Sequence, residues 1–219
     1  MVEDNIRSDT EELAHAFADL RSANALARNE GVTAAIRIGA PAAAGLLALL
    51  EEPAADRVNV MYALARIGDS RAAEAFRSGL HDAEERVRAY SAAGLARIGD
   101  PGALDACLRT LNDGSDPMHT DMTASVQSLG EMGLRAVPPL LDLLTNDDEM
   151  TRLHAQRALE LILGRRHGFM PGKGFPSQHA ADACREEWRA NGNYDYSAAA
   201  DAREQSAAKW RQWLAEVKE

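Results

Sequence analysis

The sequence predicts an all-α fold: a right-handed α-solenoid of about five helical hairpins, closed by a tryptophan-bearing helical cap. Three observations carry this expectation. The stretch Val58-Asn-Val-Met-Tyr-Ala-Leu-Ala-Arg-Ile-Gly-Asp69 returns 31 residues later as Ala89-Tyr-Ser-Ala-Ala-Gly-Leu-Ala-Arg-Ile-Gly-Asp100. A period of roughly 20–50 residues marks units that cannot bury their apolar face alone and must stack on neighbours. Each copy ends in glycine (Gly39, Gly68, Gly99), and Pro41 and Pro101 follow; glycine favours helix C-caps and proline the first helical turn. Finally, apolar residues make up 46% of the chain but aromatics only 5%. Such an alanine-rich composition has high helix propensity and suits close packing.

Anchoring the register on Gly68 and Gly99 makes Ala35-Ile-Arg-Ile-Gly39, Leu129-Gly-Glu-Met-Gly133 and Ala158-Leu-Glu-Leu-Ile162 looser copies. The first helices of the hairpins then fall at about 10–20, 41–51, 70–81, 101–112 and 135–145. The second helices fall at about 22–38, 55–67, 84–98, 118–132 and 148–163. Asn112-Asp-Gly-Ser-Asp-Pro117 and Asn146-Asp-Asp148 supply turn residues and N-caps. Pro138-Pro139 requires a helix that starts nearby or bends. Leu64 and Ile67, Leu95 and Ile98, and Leu129 and Met132 keep helical spacing and are assigned to the core.

After Gly164 the composition shifts. Residues 165–176, with five glycines or prolines after Arg165-Arg-His167, predict a long loop. Helices at about 178–190 and 198–217 follow, and they carry Trp188, Trp210 and Trp213. The expected organisation is a repeat body over 1–164 and a loop with a cap over 165–219, packed on the last repeat. Trp210 and Trp213, at i and i+3, suit the closing of an exposed solenoid end.

A net charge of −10 argues against general nucleic-acid binding, which neutralises phosphates with Lys and Arg. Cys107 and Cys184 lie far apart and belong to no ligand-spaced cluster, so both are expected as reduced thiols. The acidic start lacks the pattern of a signal peptide, and charged residues interrupt every apolar run short of a membrane span. A soluble, cytoplasmic protein is the expectation. No catalytic constellation, cofactor site or metal site stands out. Asp147-Asp-Glu149 and Glu84-Glu85 sit at predicted helix starts, where negative charge complements the dipole.

Val87-Arg88 with Leu95-Ala-Arg-Ile-Gly-Asp-Pro101, and Arg57 with Leu64-Ala-Arg-Ile-Gly-Asp69, resemble HEAT-like repeats of the phycobilisome-lyase (PBS lyase) type. The resemblance covers about residues 10–164, and the tail with Tyr194-Asp195, Arg203 and Trp210-Arg-Gln-Trp213 is similar to an extension of some bacterial members. It implies protein–protein interaction, with a bilin-lyase-like enzyme or a regulatory subunit of an enzyme complex as the alternative. Deoxyhypusine hydroxylase, built from similar repeats, holds iron with His-Glu pairs; none of the six histidines here precedes Glu. Helical-repeat DNA glycosylases use a basic face, which the acidic chain does not supply.

Two rows of polar residues repeat on the second helices. Arg28, Arg57, Arg88 and Arg152 recur at one place and are read as clamps to acidic turn residues such as Asp69 and Asp100. The other row holds Arg86, Tyr90 and Arg97 in the third hairpin, and Asn59, Tyr62 and Arg66 in the second. The same register gives Gln127 in the fourth, and His154 and Arg157 in the fifth. The family likeness implies that second helices line the concave side. Tyr and Arg are enriched in binding hot spots, so this row is the candidate groove for a partner protein or an acidic peptide.

Overall fold

The computed structural model describes residues 2–115 and 121–217, with side chains from residue 11 onward. The described residues are helical throughout, apart from turns and one isolated antiparallel bridge between Met170 and Gly174. Helix contacts divide the chain into two compact units, Met1–Ala106 and Cys107–Glu219.

The first unit contains α1 (Val2–Leu20), α2 (Ala25–Ile38), α3 (Ala43–Leu50), α4 (Arg57–Ile67), α5 (Ala73–Gly79) and α6 (Glu85–Arg97). These form three hairpins, α1 on α2, α3 on α4 and α5 on α6, and they stack because α2 packs on α4 and α4 on α6. Side-chain caps fix where the second helices begin. The Asn24 side chain accepts the Leu26 N–H at 2.8 Å, and Asp56 accepts that of Asn59 at 3.2 Å. Gly68 ends α4 in the left-handed region (φ 69°), which a residue with a Cβ adopts only at a cost. Phe76, Leu46, Leu64 and Leu95 form the buried core, while Ile67 and Ile98 are half-buried.

The expected first helices are shorter than their spans. Three-residue 3₁₀ turns, Ala40–Ala42 and Ser70–Ala72, precede α3 and α5. Pro41, which lacks an N–H, sits within the first of them.

α7 (Ala103–Arg109) runs through the boundary between the units. The second unit continues with α8 (Ala124–Met132), α9 (Val137–Leu143), α10 (Glu149–Arg166), α11 (Gln178–Ala190) and α12 (Ala200–Val217). The expected start of the fourth second helix at 118 lies outside the described residues. Pro138 and Pro139 occupy the first turn of α9, where their missing N–H groups cost nothing.

The cap belongs to the second unit, so the division expected at 164 is not where the contacts fall. The physical reason is that α12 packs on α9 and α11 on α10. The three indoles stack edge to face, Trp188 on Trp210 at 5.1 Å and Trp210 on Trp213 at 5.0 Å. Tyr194, 2% exposed, donates its hydroxyl to the Leu144 carbonyl at 2.6 Å.

The loop expected at 165–176 is also corrected in part. α10 runs on through Arg166. Met170 and Gly174 then exchange backbone hydrogen bonds of 3.0 and 2.9 Å, so the segment closes into a tight turn flanked by Phe169 and Phe175. Among the described residues no single helix is long and apolar enough to cross a membrane.

Candidate functional site

α4 and α6 lie side by side and bring together the tyrosines and arginines of the first unit's row. The Tyr62 and Tyr90 rings stand 5.0 Å apart, tilted by 55°. One turn on from Tyr62, the Arg66 guanidinium lies 5.7 Å from that ring's centre and donates to its hydroxyl at 3.0 Å. Arg97, in the last turn of α6, runs across the cap of α4. A Cβ built on Gly68 would stand 2.8 Å from Arg97 Cγ and 2.9 Å from Cδ. Gly68 therefore does two things, ending α4 and leaving room for the Arg97 stem.

The row is polarised along the helices. At the N-terminal ends its members are occupied: the Asn59 amide donates to Asp56 at 3.1 Å, and Arg86 pairs with Glu84 at 3.2 Å. At the C-terminal ends Arg66 and Arg97 are both exposed, and neither pairs with a carboxylate among the described residues. Their charge is complemented by the negative ends of α4 and α6. Most neighbouring arginines are engaged: Arg57 pairs with Asp82, Arg71 with Asp69, and Arg77 with Asp100.

In the second unit the row is interrupted at His154. Gln127 is exposed on α8. His154 is fully buried, with Nδ1 2.7 Å from the Asn112 side-chain oxygen, so it cannot line a binding surface. The reason is that α10 is covered on several sides, by α8, α9 and α11, and its histidine falls on a covered one. Arg157 is held by Asp121 at 2.8 Å and by Glu160 at 2.5 Å and borders a cavity against α11.

The other arginine series proves to be structural, with different partners from those expected. Arg28, Arg88 and Arg152 each stand four residues after an N-cap and clasp the turn before their own helix. Arg28 donates to the Ser22 and Ala23 carbonyls, Arg88 to Asp82 and Ala83, and Arg152 to Asn146 and Asp147. Arg28 also reaches Asp56 of the next hairpin at 2.9 Å. Asp69 and Asp100 instead hold Arg71 and Arg77. Arg57 falls out of the series because α4 starts later than α6 relative to the shared glycine, which places Arg57 at the first helical position.

No group of three or more metal-ligating side chains gathers among the described residues. Neither Cys107 nor Cys184 forms a disulfide among the described residues. Burial pushes the Cys107 thiol up to about 12, and burial followed by the nearby Glu187 raises that of Cys184. Neither is an activated nucleophile. Sequence reasoning missed the aromatic lining of the cavity beside Arg157, where Phe169, Phe175 and Trp188 gather. The available signal was a phenylalanine on each side of the Met-Pro-Gly-Lys-Gly turn.

Comparison with known proteins places these findings in a wider class. No curated protein matches the chain. A family model described as HEAT repeats matches residues 43–122, a span that holds α3 to α7, both copies of the Leu-Ala-Arg-Ile-Gly-Asp motif and the whole Tyr62–Tyr90 cluster. The fold is thus all-α and of the α-solenoid type, and its candidate site lies on repeats similar to HEAT repeats.

Proposed function

We propose that the protein is a non-catalytic interaction module that binds an acidic segment of a partner protein on the α4–α6 face. The single observation that carries this reading is the pair of exposed arginines, Arg66 and Arg97, left without carboxylates beside the Tyr62–Tyr90 pair on a chain of net charge −10. Within the same unit Arg57, Arg71 and Arg77 each pair with a carboxylate, which sets Arg66 and Arg97 apart from their neighbours. HEAT repeats commonly mediate protein–protein contacts, which supports the same reading. The two half-buried rings offer broad contact area, and the arginines select charge and register.

The test is selection from a displayed library of random peptides, followed by titration of the selected peptides. Acidic sequences should be enriched, and their affinity should fall as salt rises, because exposed charges are screened beyond about 8 Å at physiological ionic strength. Tyr90→Ala combined with Arg97→Glu should abolish binding while circular dichroism shows unchanged helicity. Enrichment of basic or uncharged peptides, or binding that survives the double variant, sinks this reading. A chromophore retained on purification, with no peptide bound, would favour the bilin-lyase-like or regulatory-subunit function instead.

A further inference from the structure

The second unit holds a cavity of about 590 Å³, bordered by α10, the turn after it and α11. Its wall includes Phe169 and Phe175, whose rings lie 5.2 Å apart, together with Trp188 and Leu161. Small-molecule sites have this form, with volumes of roughly 300–1,000 Å³, mostly apolar walls and a few placed polar groups. All three rings are only half-buried, whereas Phe76 and Trp210 are enclosed elsewhere in the chain. Covering the remaining ring surface is a driving force for an apolar ligand.

Charge selects among apolar ligands. Arg157 is already held between Asp121 and Glu160, and Glu160 also accepts from the Gln156 amide at 2.7 Å. Arg185 is paired with Asp182. Arg189, one turn further along α11, also lines the cavity; it is exposed and pairs with no carboxylate among the described residues. The two carboxylates sharing Arg157 repel an anion from that wall, so an anionic head is directed to the Arg189 side.

We propose that this cavity binds a small amphipathic monoanion, an apolar chain or ring bearing one carboxylate. Its body lies against Phe169, Phe175 and Trp188, and its carboxylate meets Arg189. The site is independent of the α4–α6 face.

The experiment uses 11-bromoundecanoate, whose bromine quenches tryptophan fluorescence on contact, at concentrations below micelle formation and with helicity monitored throughout. Two probes of the same chain length, the neutral 11-bromoundecan-1-ol and the cationic 11-bromoundecyl-trimethylammonium, isolate the charge. The carboxylate should quench saturably and bind most tightly. Trp188→Phe should remove most of the quenching. Arg189→Glu should weaken carboxylate binding about fivefold, the scale of one solvent-facing ion pair, and favour the ammonium probe. Equal binding of all three probes, unchanged affinity in Arg189→Glu, quenching retained in Trp188→Phe, quenching only alongside lost helicity, or no saturable quenching would each overturn the proposal.

Discussion

Asp69 and Asp100 occupy the same place in two copies of the repeat, yet they settle into different contacts. Asp69 accepts the Arg71 backbone N–H and the Arg71 guanidinium, both at 2.9 Å, and so caps the short turn that follows it. Asp100 caps its own turn through Gly102 at 2.8 Å and takes a guanidinium from Arg77 at 2.7 Å. The Arg71 hydrogen bonds hold the Asp69 carboxyl down at about 2, below its ordinary value. Such a depressed acid contributes stability above its unfolded pKa, about 3.9, and loses that contribution as pH falls through the folded value. Asp69→Asn keeps a good capping side chain but removes the charge. Its melting temperature should therefore lie below wild type at neutral pH, with the gap closing between about pH 4 and pH 2. Thermal melts across that range check this, and a gap that is constant with pH would show that the charge contributes nothing. The helix ends were legible in the sequence through their glycines, but the capping role of Asp69 and Asp100 was not, since the repeat pattern assigns both to the Arg28 series. The arginine partners were not legible either, because which carbonyl an arginine reaches depends on its distance from the N-cap, and α4 and α6 differ in length by two residues.

Among the elements, α10, packed against α8, α9 and α11, has the least expected surroundings. Its pattern announced a helix, and the described helix runs three residues past the expected end. Nothing in a single helix's spacing reveals how many sides will be covered, so His154 read as surface and is core. The segment that returns from α11 to α12 explains part of that coverage. Arg152 in α10 donates to the Tyr196 carbonyl at 2.9 Å, the Gln156 side chain accepts the Tyr196 N–H at 2.9 Å, and Tyr194 reaches Leu144. These bonds fasten the cap to the end of α9 and to α10. Tyr194→Phe removes one buried donor and leaves the Leu144 carbonyl unsatisfied by it, which should cost about 1–2 kcal/mol. Denaturant titration checks the value. A loss under about 0.3 kcal/mol would mean that the tyrosine ring, and not its hydroxyl, holds the cap.

At the scale of the whole molecule, repetition made the fold readable and hid the site. A 31-residue echo fixes hairpins, core positions and caps at once, because each copy repeats the same local physics. A binding surface depends on where copies differ, and the row expected to run through four hairpins is polarised in the first unit and interrupted by the buried His154 in the second. The same repetition predicts how damage spreads. In stacked repeats each hairpin is stabilised mainly by its immediate neighbours, and α6 packs on α4 and α5. Leu95, 2% exposed in α6, should not tolerate a charge. Leu95→Asp loses a buried leucine and places a carboxylate in apolar surroundings, at a cost of at least about 3 kcal/mol. By hydrogen exchange, amides of α4, α5 and α6 should then exchange roughly a hundredfold faster, since about 1.4 kcal/mol corresponds to a factor of ten. Amides of α9, α10 and α12, in the other compact unit, should keep their protection. Equal acceleration in every helix would show that the chain opens as one cooperative body, and nearest-neighbour energetics would then be the wrong description of this protein.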